Sequence, residues 1–159
     1  MMRTFAAFMA LFLAAAVAGS AATRADFDRV VDFSVTLKEL AAAADGKAAL
    51  PTGRMIILSG TVSNVTIENK DQPTFKVRIE LITGEWIGLD DVKAYACYIE
   101  FTGPEFFSVF PARAPAQAVP GIVVQNSRVL IAGRALSIVT TPLGEKRVLM
   151  DGAYIRVIE

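Results

Sequence analysis

The stretch that most constrains the fold is the apolar run at residues 54–67, RMIILSGTVSNVTI, which has Gly60 at its centre. Apolar side chains alternate with other residues up to Val62, and then continue with the opposite parity at Val65 and Ile67. A change of phase by one residue is typical of a β-bulge, and a glycine allows another backbone to approach closely. The run therefore predicts a long, bent first strand that serves both halves of a small barrel.

Four further strands follow from the same alternation. Residues 75–81 have one apolar and one charged face, and residues 94–101 form a third, less polar strand. Residues 128–138 and 146–158 predict a hairpin joined by a loop of about five residues. Gly133 lies within the fourth strand much as a glycine lies within the first. Five strands in this order predict a mainly β fold, a five-stranded OB-type Greek-key barrel.

A short helix is predicted before the barrel. Either Ser34 or Thr36 can cap it, and Glu39 follows Thr36 at the spacing of a capping box. Gly46 supplies the stop. The sequence LKELAAAA has its apolar residues on one helical face, so we expect two to three turns that pack over one end of the barrel.

Two segments lack strand periodicity. Residues 83–91 are predicted to be the loop that joins the second and third strands. Residues 103–121 contain four prolines, which exclude a long regular helix. Within them, residues 105–110 can form one helical turn whose phenylalanines cover an end of the barrel.

The chain resembles the tRNA anticodon-binding-like OB domains of exported bacterial proteins. The pieces that carry the resemblance cover roughly residues 35–158: LKELAAAA, GRMIILSGTVSNV, YACYIEF, SRVLIAGRALSI and VLMDGAYI. It departs from that family in the proline-rich connector and in lacking a charged or aromatic ladder on the barrel face. The resemblance implies the fold, and its motifs include no catalytic residue.

The N-terminus has the three-part layout of a secretory signal peptide. Arg3 precedes an uninterrupted apolar segment at residues 5–17, and small residues follow. About 20 residues are needed to cross a bilayer, so a retained anchor is disfavoured and no stable membrane span is expected after cleavage. Cuts after Ser20 and after Ala22 both suit the pattern, and we favour Ala22.

The predicted organisation is a signal peptide at residues 1–22, a flexible leader at 23–33 and the barrel domain at 34–159. We expect export, to the bacterial periplasm or as a secreted protein. Removal of the signal peptide leaves 15 basic residues against 16 acidic ones. Because polyanion binders gain affinity from a basic surplus, this balance disfavours nucleic acid as a partner.

The residue types present exclude most catalytic chemistry. The chain has no histidine and one cysteine, Cys97, so no zinc or haem site is expected and no cofactor is implied. Cys97 lies in an alternating run and is predicted to be a buried structural thiol. Asp90 and Asp91 are adjacent carboxylates that fit a solvated turn better than an active site. We therefore predict a non-enzymatic binding module for an unknown protein or small ligand.

Two sets of residues are candidates for binding. An OB barrel that bound single-stranded nucleic acid or an oligosaccharide would use the outer face of its second and third strands. The candidates there are Lys76, Arg78, Trp86 and Tyr98, although Glu80 and Glu100 share the face and oppose a polyanion. The other interpretation is a solvated barrel face.

The second set consists of aromatic side chains in the predicted loops, which can meet at one end of the barrel: Trp86, Phe106, Phe107 and Phe110. They form either a plug that closes the barrel or an exposed patch that recognises a protein or small ligand. Whether they are buried decides between the two.

Overall fold

The computed structural model describes residues 24–88, 91–117 and 119–158, so the predicted signal peptide lies outside the described residues. Its helices and strands are α1 (Arg24–Val30), β1 (Val31–Asp32), α2 (Leu37–Ala44), β2 (Met55–Asn69), β3 (Lys76–Ile87), β4 (Asp91–Thr102), β5 (Arg128–Thr140) and β6 (Lys146–Val157). Short 3₁₀ turns lie at Gln72–Thr74 and Pro104–Phe106. None of the described helices is long and apolar enough to cross a membrane.

The five long strands close into a barrel. They lie in the order β2-β3-β4-β6-β5, and β5 pairs back with β2. The pairing of β4 with β6 is parallel and short, joining Tyr98 to Leu149 and Glu100 to Asp151, whereas the other pairings between long strands are antiparallel. This is the predicted OB-type Greek-key barrel, and closure removes most exposed strand edges.

Strand β2 bends as the sequence predicts. It pairs with β5 up to Thr61 and with β3 from Thr61 onward, and its register shifts between Val62 and Asn64. A side chain at Gly60 would place its Cβ 2.7 Å from the carbonyl oxygen of Ile82. Glycine is required there because the opposing atom is backbone and cannot rotate away. A side chain at Gly133 of β5 would likewise place its Cβ 2.5 Å from the carbonyl oxygen of Asp151.

Helix α2 packs over the barrel beside β4 and β6. The hydroxyl of Thr36 accepts from the amide of Glu39, and the Glu39 carboxylate accepts from the amide of Thr36, which is the predicted capping box. Leu37 and Leu40 of the helix join the barrel core. Cys97 is fully buried in the same core, and burial raises the pKa of its thiol, which is the expected behaviour of a structural cysteine.

Residues 24–32 have regular structure where the sequence predicts part of a flexible leader. They form α1 and the two-residue β1, which pairs in parallel with the start of β2 through Val31 and Met55. Asp32 accepts hydrogen bonds from the amide and hydroxyl of Ser34. These contacts attach the segment to one edge of the barrel.

The prediction of a loop at residues 83–91 is wrong for residues 83–87, which lie in β3, and for Asp91, which begins β4. Strands β3 and β4 stay paired as far as Ile87 and Asp91. Gly88, which directly follows β3, has a φ of +72°, a backbone conformation that favours glycine. Because β2 pairs with β3 no further than Ile82, residues 83–88 and 91–95 extend beyond the closed barrel as two paired strand ends. We call residues 83–88 and 91–95 the arm.

Candidate functional site

The outer face of β3 and β4 is a continuous surface with two different halves. On the barrel half the outward side chains are mostly charged or polar: Lys76, Arg78, Glu80, Tyr98, Glu100 and Thr102. The same face continues along β3 and β4 with residues that carry no charge: Ile82, Gly84, Trp86, Val92, Ala94 and Ala96. The period-two alternation of the two strands places both sets on one side of the sheet.

The charged half is internally paired. The ammonium of Lys76 lies 2.9 Å from a carboxylate oxygen of Glu68 and 3.0 Å from one of Glu100. The guanidinium of Arg78 lies 2.9 Å from Glu68 and also contacts Glu100, and it stacks over Tyr98 at 6.0 Å. Two cations and two carboxylates thus neutralise one another, which leaves no uncompensated positive charge at this point for a phosphate.

The pKa values of these groups reflect the same pairing. Hydrogen bonds to Glu68 and Glu100 raise the pKa of the Lys76 ammonium, and the hydrogen bond to Glu100 raises that of Arg78. Partial burial acts to raise the pKa of the Glu100 carboxyl, but hydrogen bonds from Arg78 and Lys76 outweigh it and lower the pKa. All three groups are therefore charged at neutral pH.

The arm half exposes large apolar side chains. Trp86 has 72% of its surface exposed, and its cross-strand partner Val92 has 55%. Val92 lies over Gly84, whose absent side chain leaves room for it. A contiguous apolar surface that includes an exposed tryptophan is typical of a binding surface, since tryptophan is enriched where proteins meet.

The opposite face of the arm is held against α2 by polar contacts. The Glu85 carboxylate accepts hydrogen bonds from the Lys38 ammonium at 2.9 Å and from the Tyr95 hydroxyl at 2.8 Å. Lys93 also lies over the Tyr95 ring, 5.4 Å from its centre. The hydrogen bond from Lys38 is the main cause that lowers the pKa of Glu85. These contacts fix the direction of the arm, so that its apolar face is presented outward.

A groove of about 370 Å³ lies where β2 separates from β3 at the base of the arm. It is lined by small or polar residues, one aliphatic side chain and one cation: Ser59, Gly60, Thr61, Ile82, Thr83, Gly84 and Arg128. Arg128 is exposed, and its guanidinium has no ion-pair partner among the described residues. Residues 83–87 of β3 pair with β4 alone, so their other edge borders this groove.

The phenylalanines of the connector lie at the other end of β3. Phe106 and Phe110 are 7% and 1% exposed and pack on the ring of Phe101, with centroids 5.0 and 5.5 Å apart. They plug the barrel. Phe107 is 42% exposed, and its ring contacts Phe75 edge-on at 5.6 Å.

The structure does not bring the four predicted aromatic residues together. Phe75, which touches Phe107, directly precedes β3, and Trp86 lies near the other end of that strand, about 35 Å of extended chain away. The interpretation as one cluster is therefore wrong, because the segment that carries Trp86 is a strand and not a loop that folds back. Of the adjacent acids, Asp90 lies outside the described residues, and Asp91 is exposed opposite Ile87.

Sequence reasoning missed Val92, Gly84 and Arg128. The signal that could have revealed the first two is a weak alternation in ITGEWI and DVKAYA on either side of Gly88, masked by the glycines and aspartates around it. The groove forms where the pairing of β2 with β3 ends, and no local sequence pattern predicts that position. The described residues contain no group of three or more His, Cys, Asp or Glu side chains that could hold a metal ion.

A small single-stranded DNA-binding protein from Streptomyces coelicolor, known from its crystal structure, is similar over 65% of this chain and 91% of its own length. The sequence identity is 13% and the TM-score 0.41, a similarity too low to support an inference about function. No protein-family model and no curated protein matches the chain. The OB fold therefore rests on the strand order, and the finer resemblance to exported tRNA anticodon-binding-like domains stays a prediction.

Proposed function

We propose that this chain is an exported, non-enzymatic binding module that recognises an extended peptide segment of a partner protein along the arm. The observation that carries the proposal is the exposed side chain of Trp86, which lies beside an unpaired strand edge. The peptide adds as a further strand to residues 83–87. The apolar outer face of the arm then covers its side chains.

The strand edge supports this mode of binding. In a two-stranded antiparallel ribbon, alternate N–H and C=O groups point away from the partner strand and are free to pair with another chain. Residues 83–87 present such an edge on the side away from β4. Main-chain hydrogen bonds supply affinity in strand addition, and pockets for alternate side chains supply specificity.

The groove at the base of the arm supports a preference in the peptide. Its small lining residues, Ser59, Gly60 and Gly84, leave space for a chain to enter between β2 and β3. Arg128 lines the same groove and has no carboxylate partner among the described residues. We therefore expect a peptide with apolar residues at alternate positions, which contact Trp86, and an acidic residue that reaches Arg128.

Single-stranded nucleic acid is the second candidate, through Lys76, Arg78 and Tyr98. It has less support, because both cations are engaged by Glu68 and Glu100. A phosphate would have to displace those carboxylates or lie close to them. The near-neutral charge of the mature chain also disfavours it. An oligosaccharide needs no charge and would use the same face.

Export is supported by the N-terminal sequence alone. The apolar segment and the small residues that follow are those of a cleaved signal peptide. Fractionation of the producing cell, followed by N-terminal sequencing of the recovered protein, tests this part. We expect an exported chain that begins at Thr23, the residue after the favoured cut, whereas a chain that begins at Ala21 would indicate the cut after Ser20. An uncleaved cytoplasmic protein would contradict export.

Selection of extended peptides from a random display library, with the purified protein as bait, tests the binding mode. We expect enriched peptides with alternating apolar residues, whose affinity falls at least about tenfold in Trp86→Ser, as loss of a binding hot spot does. The matched control is Tyr154→Ser, an aromatic side chain that is 49% exposed on β6. On binding, the amides of residues 83–87 should gain protection from hydrogen exchange.

Three outcomes would contradict the proposal. One is a library without enrichment, and another is equal affinity in Trp86→Ser. The third is binding of single-stranded oligonucleotides that weakens steeply with salt and is lost in Arg78→Ala, which would favour the second candidate. Fluorescence anisotropy with labelled oligonucleotides and oligosaccharides runs beside the peptide titration and separates these partners.

A further inference from the structure

A second cavity lies at the end of the barrel opposite the arm, between β2 and the segment that joins β4 to β5. Its volume is about 260 Å³. The lining residues come from the end of β2, the loop after it and the connector: Ile67, Lys70, Phe75, Phe107, Ser108, Phe110, Pro111 and Ala112. Apart from Lys70 and Ser108, their side chains are apolar.

The aromatic walls of this cavity are set by the core. Phe75 and Phe110 are each 1% exposed, and Phe110 packs on Phe101 inside the barrel. Phe107 stands edge-on to Phe75 and is partly exposed at the rim. Because two of the three rings are held by the core, the cavity is formed before any ligand arrives, which lowers the cost of binding.

Lys70 is the charged residue among those that line the cavity. Its ammonium has no ion-pair partner among the described residues. Glu68, two positions earlier, is engaged with Lys76 and Arg78. Asp71 follows in the sequence but does not line the cavity. The site therefore combines an apolar interior with one uncompensated positive charge.

A smaller hollow of about 150 Å³ continues from the cavity and shares Ile67, Pro111 and Ala112 with it. Its other walls include the half-buried Val65 and the buried Val123. Together the two form a mostly apolar channel along the face of β2 on which Val65 and Ile67 pair with the buried Ile79 and Val77 of β3. Gln125 also lines the smaller hollow. The larger one is below the range of about 300–1,000 Å³ that suits drug-sized ligands, so the site favours a slender molecule.

We propose that this channel binds a small amphipathic carboxylate of the medium-chain fatty acid class, independently of the arm. The carboxylate pairs with Lys70, and the alkyl chain lies against Phe75, Phe107 and Ile67. Apolar burial of the chain supplies the affinity, and the charge supplies the orientation. If Lys70 only packed its aliphatic chain on the apolar surface, the affinity for a ligand would not depend on the charge of the ligand.

Isothermal titration calorimetry of the purified protein with octanoate, octanol and octylamine tests this. We expect saturable one-to-one binding of octanoate, about tenfold weaker binding of octanol and no binding of octylamine, because only the carboxylate gains a charge-assisted hydrogen bond. Lys70→Gln should lose the preference for octanoate over octanol, and Lys70→Arg should keep it. Lys146→Gln, which changes an exposed lysine at the start of β6, is the matched control and should bind as the wild type does.

Two further readouts locate the site. Phe107→Ala should weaken both octanoate and octanol, since it removes a wall that does not depend on charge. The fluorescence of Trp86, which is the single tryptophan of the chain, should not change on octanoate binding, because it lies at the other end of β3. Equal affinities for octanoate and octanol would overturn the proposal, as would an unchanged affinity for octanoate in Lys70→Gln. Sedimentation with phosphatidylglycerol vesicles in the absence of octanoate binding would also overturn it, in favour of a bilayer surface.

Discussion

The two ends of strand β3 carry aromatic side chains in opposite situations. Directly before its start, Phe75 is 1% exposed and belongs to the core that Phe110 of the connector closes. Near its end, Trp86 is 72% exposed on the arm. The alternation of residues 75–81 predicts a strand at Phe75, whereas Trp86 falls in a segment that is predicted to be a loop. The difference in exposure comes from barrel closure: the start of β3 lies within the closed barrel, and its end lies beyond the last residue that β2 pairs with.

This comparison separates stability from binding. Phe101 and Phe110 at the closed end are surrounded by core residues, so they hold the fold and offer no surface to a partner protein. Side chains on the outer face of the arm contact little, so they contribute little to folding and remain available.

Gly60→Val should prevent folding. The added side chain would meet the carbonyl oxygen of Ile82 and the side chain of Leu81 at the point where β2 leaves β3, and the backbone there cannot yield. Circular dichroism should show neither the native strand spectrum nor a cooperative melt. Ser59→Val, at the exposed neighbouring position, is the control and should fold. A native-like spectrum and melt for Gly60→Val would refute this account of β2.

Phe110→Ala should destabilise the protein by about 3–5 kcal/mol, as truncations of fully buried phenylalanines do. Phe110 packs on Phe101 in the core, and its removal leaves a cavity that the connector can fill only in part. The free energy of unfolding from urea titration measures the loss. A change below about 1 kcal/mol would mean that the connector does not close the barrel.

Glu100→Gln should cost about 1–2 kcal/mol at neutral pH, between the limits for exposed and buried ion pairs, since the side chain is 14% exposed and both Lys76 and Arg78 lose a partner. The pKa of Glu100 is lowered in the folded state from its ordinary 4.5. Its contribution is therefore present above that value and is lost as the pH falls through the lowered pKa.

Urea titrations of wild type and Glu100→Gln from neutral pH down to about pH 3 measure this. The difference between the two proteins should shrink as the pH falls. A constant difference across that range would show that the carboxylate is not held by the two cations. Binding of nucleic acid to this face would instead require Lys76 and Arg78 to be free of carboxylate partners.

The sequence alone predicts the barrel because the signals that specify its strands and its helix are local. The change of parity after Val62 located the bulge, Glu39 identified the capping box, and Gly60 marked the close approach. The arm was missed because Gly84 and Gly88 are turn formers by composition, whereas only the second lies outside β3. Whether Trp86 or Phe106 is buried depends on strand pairing between distant residues, which no local pattern contains.

Trp86→Ser should change the free energy of unfolding by no more than about 0.5 kcal/mol, the usual range for exposed positions. Trp86 and its cross-strand partner Val92 are both more than half exposed, so little buried surface is lost. In the wild type, the fluorescence of this single tryptophan should be fully accessible to a neutral quencher such as acrylamide, and the peptides selected against the arm should protect it. Tyr154→Ser sets the scale for a second exposed aromatic residue. A loss of several kcal/mol in Trp86→Ser, or a tryptophan shielded from the quencher before any peptide is added, would place Trp86 with the core phenylalanines and remove the contrast between the two ends of β3.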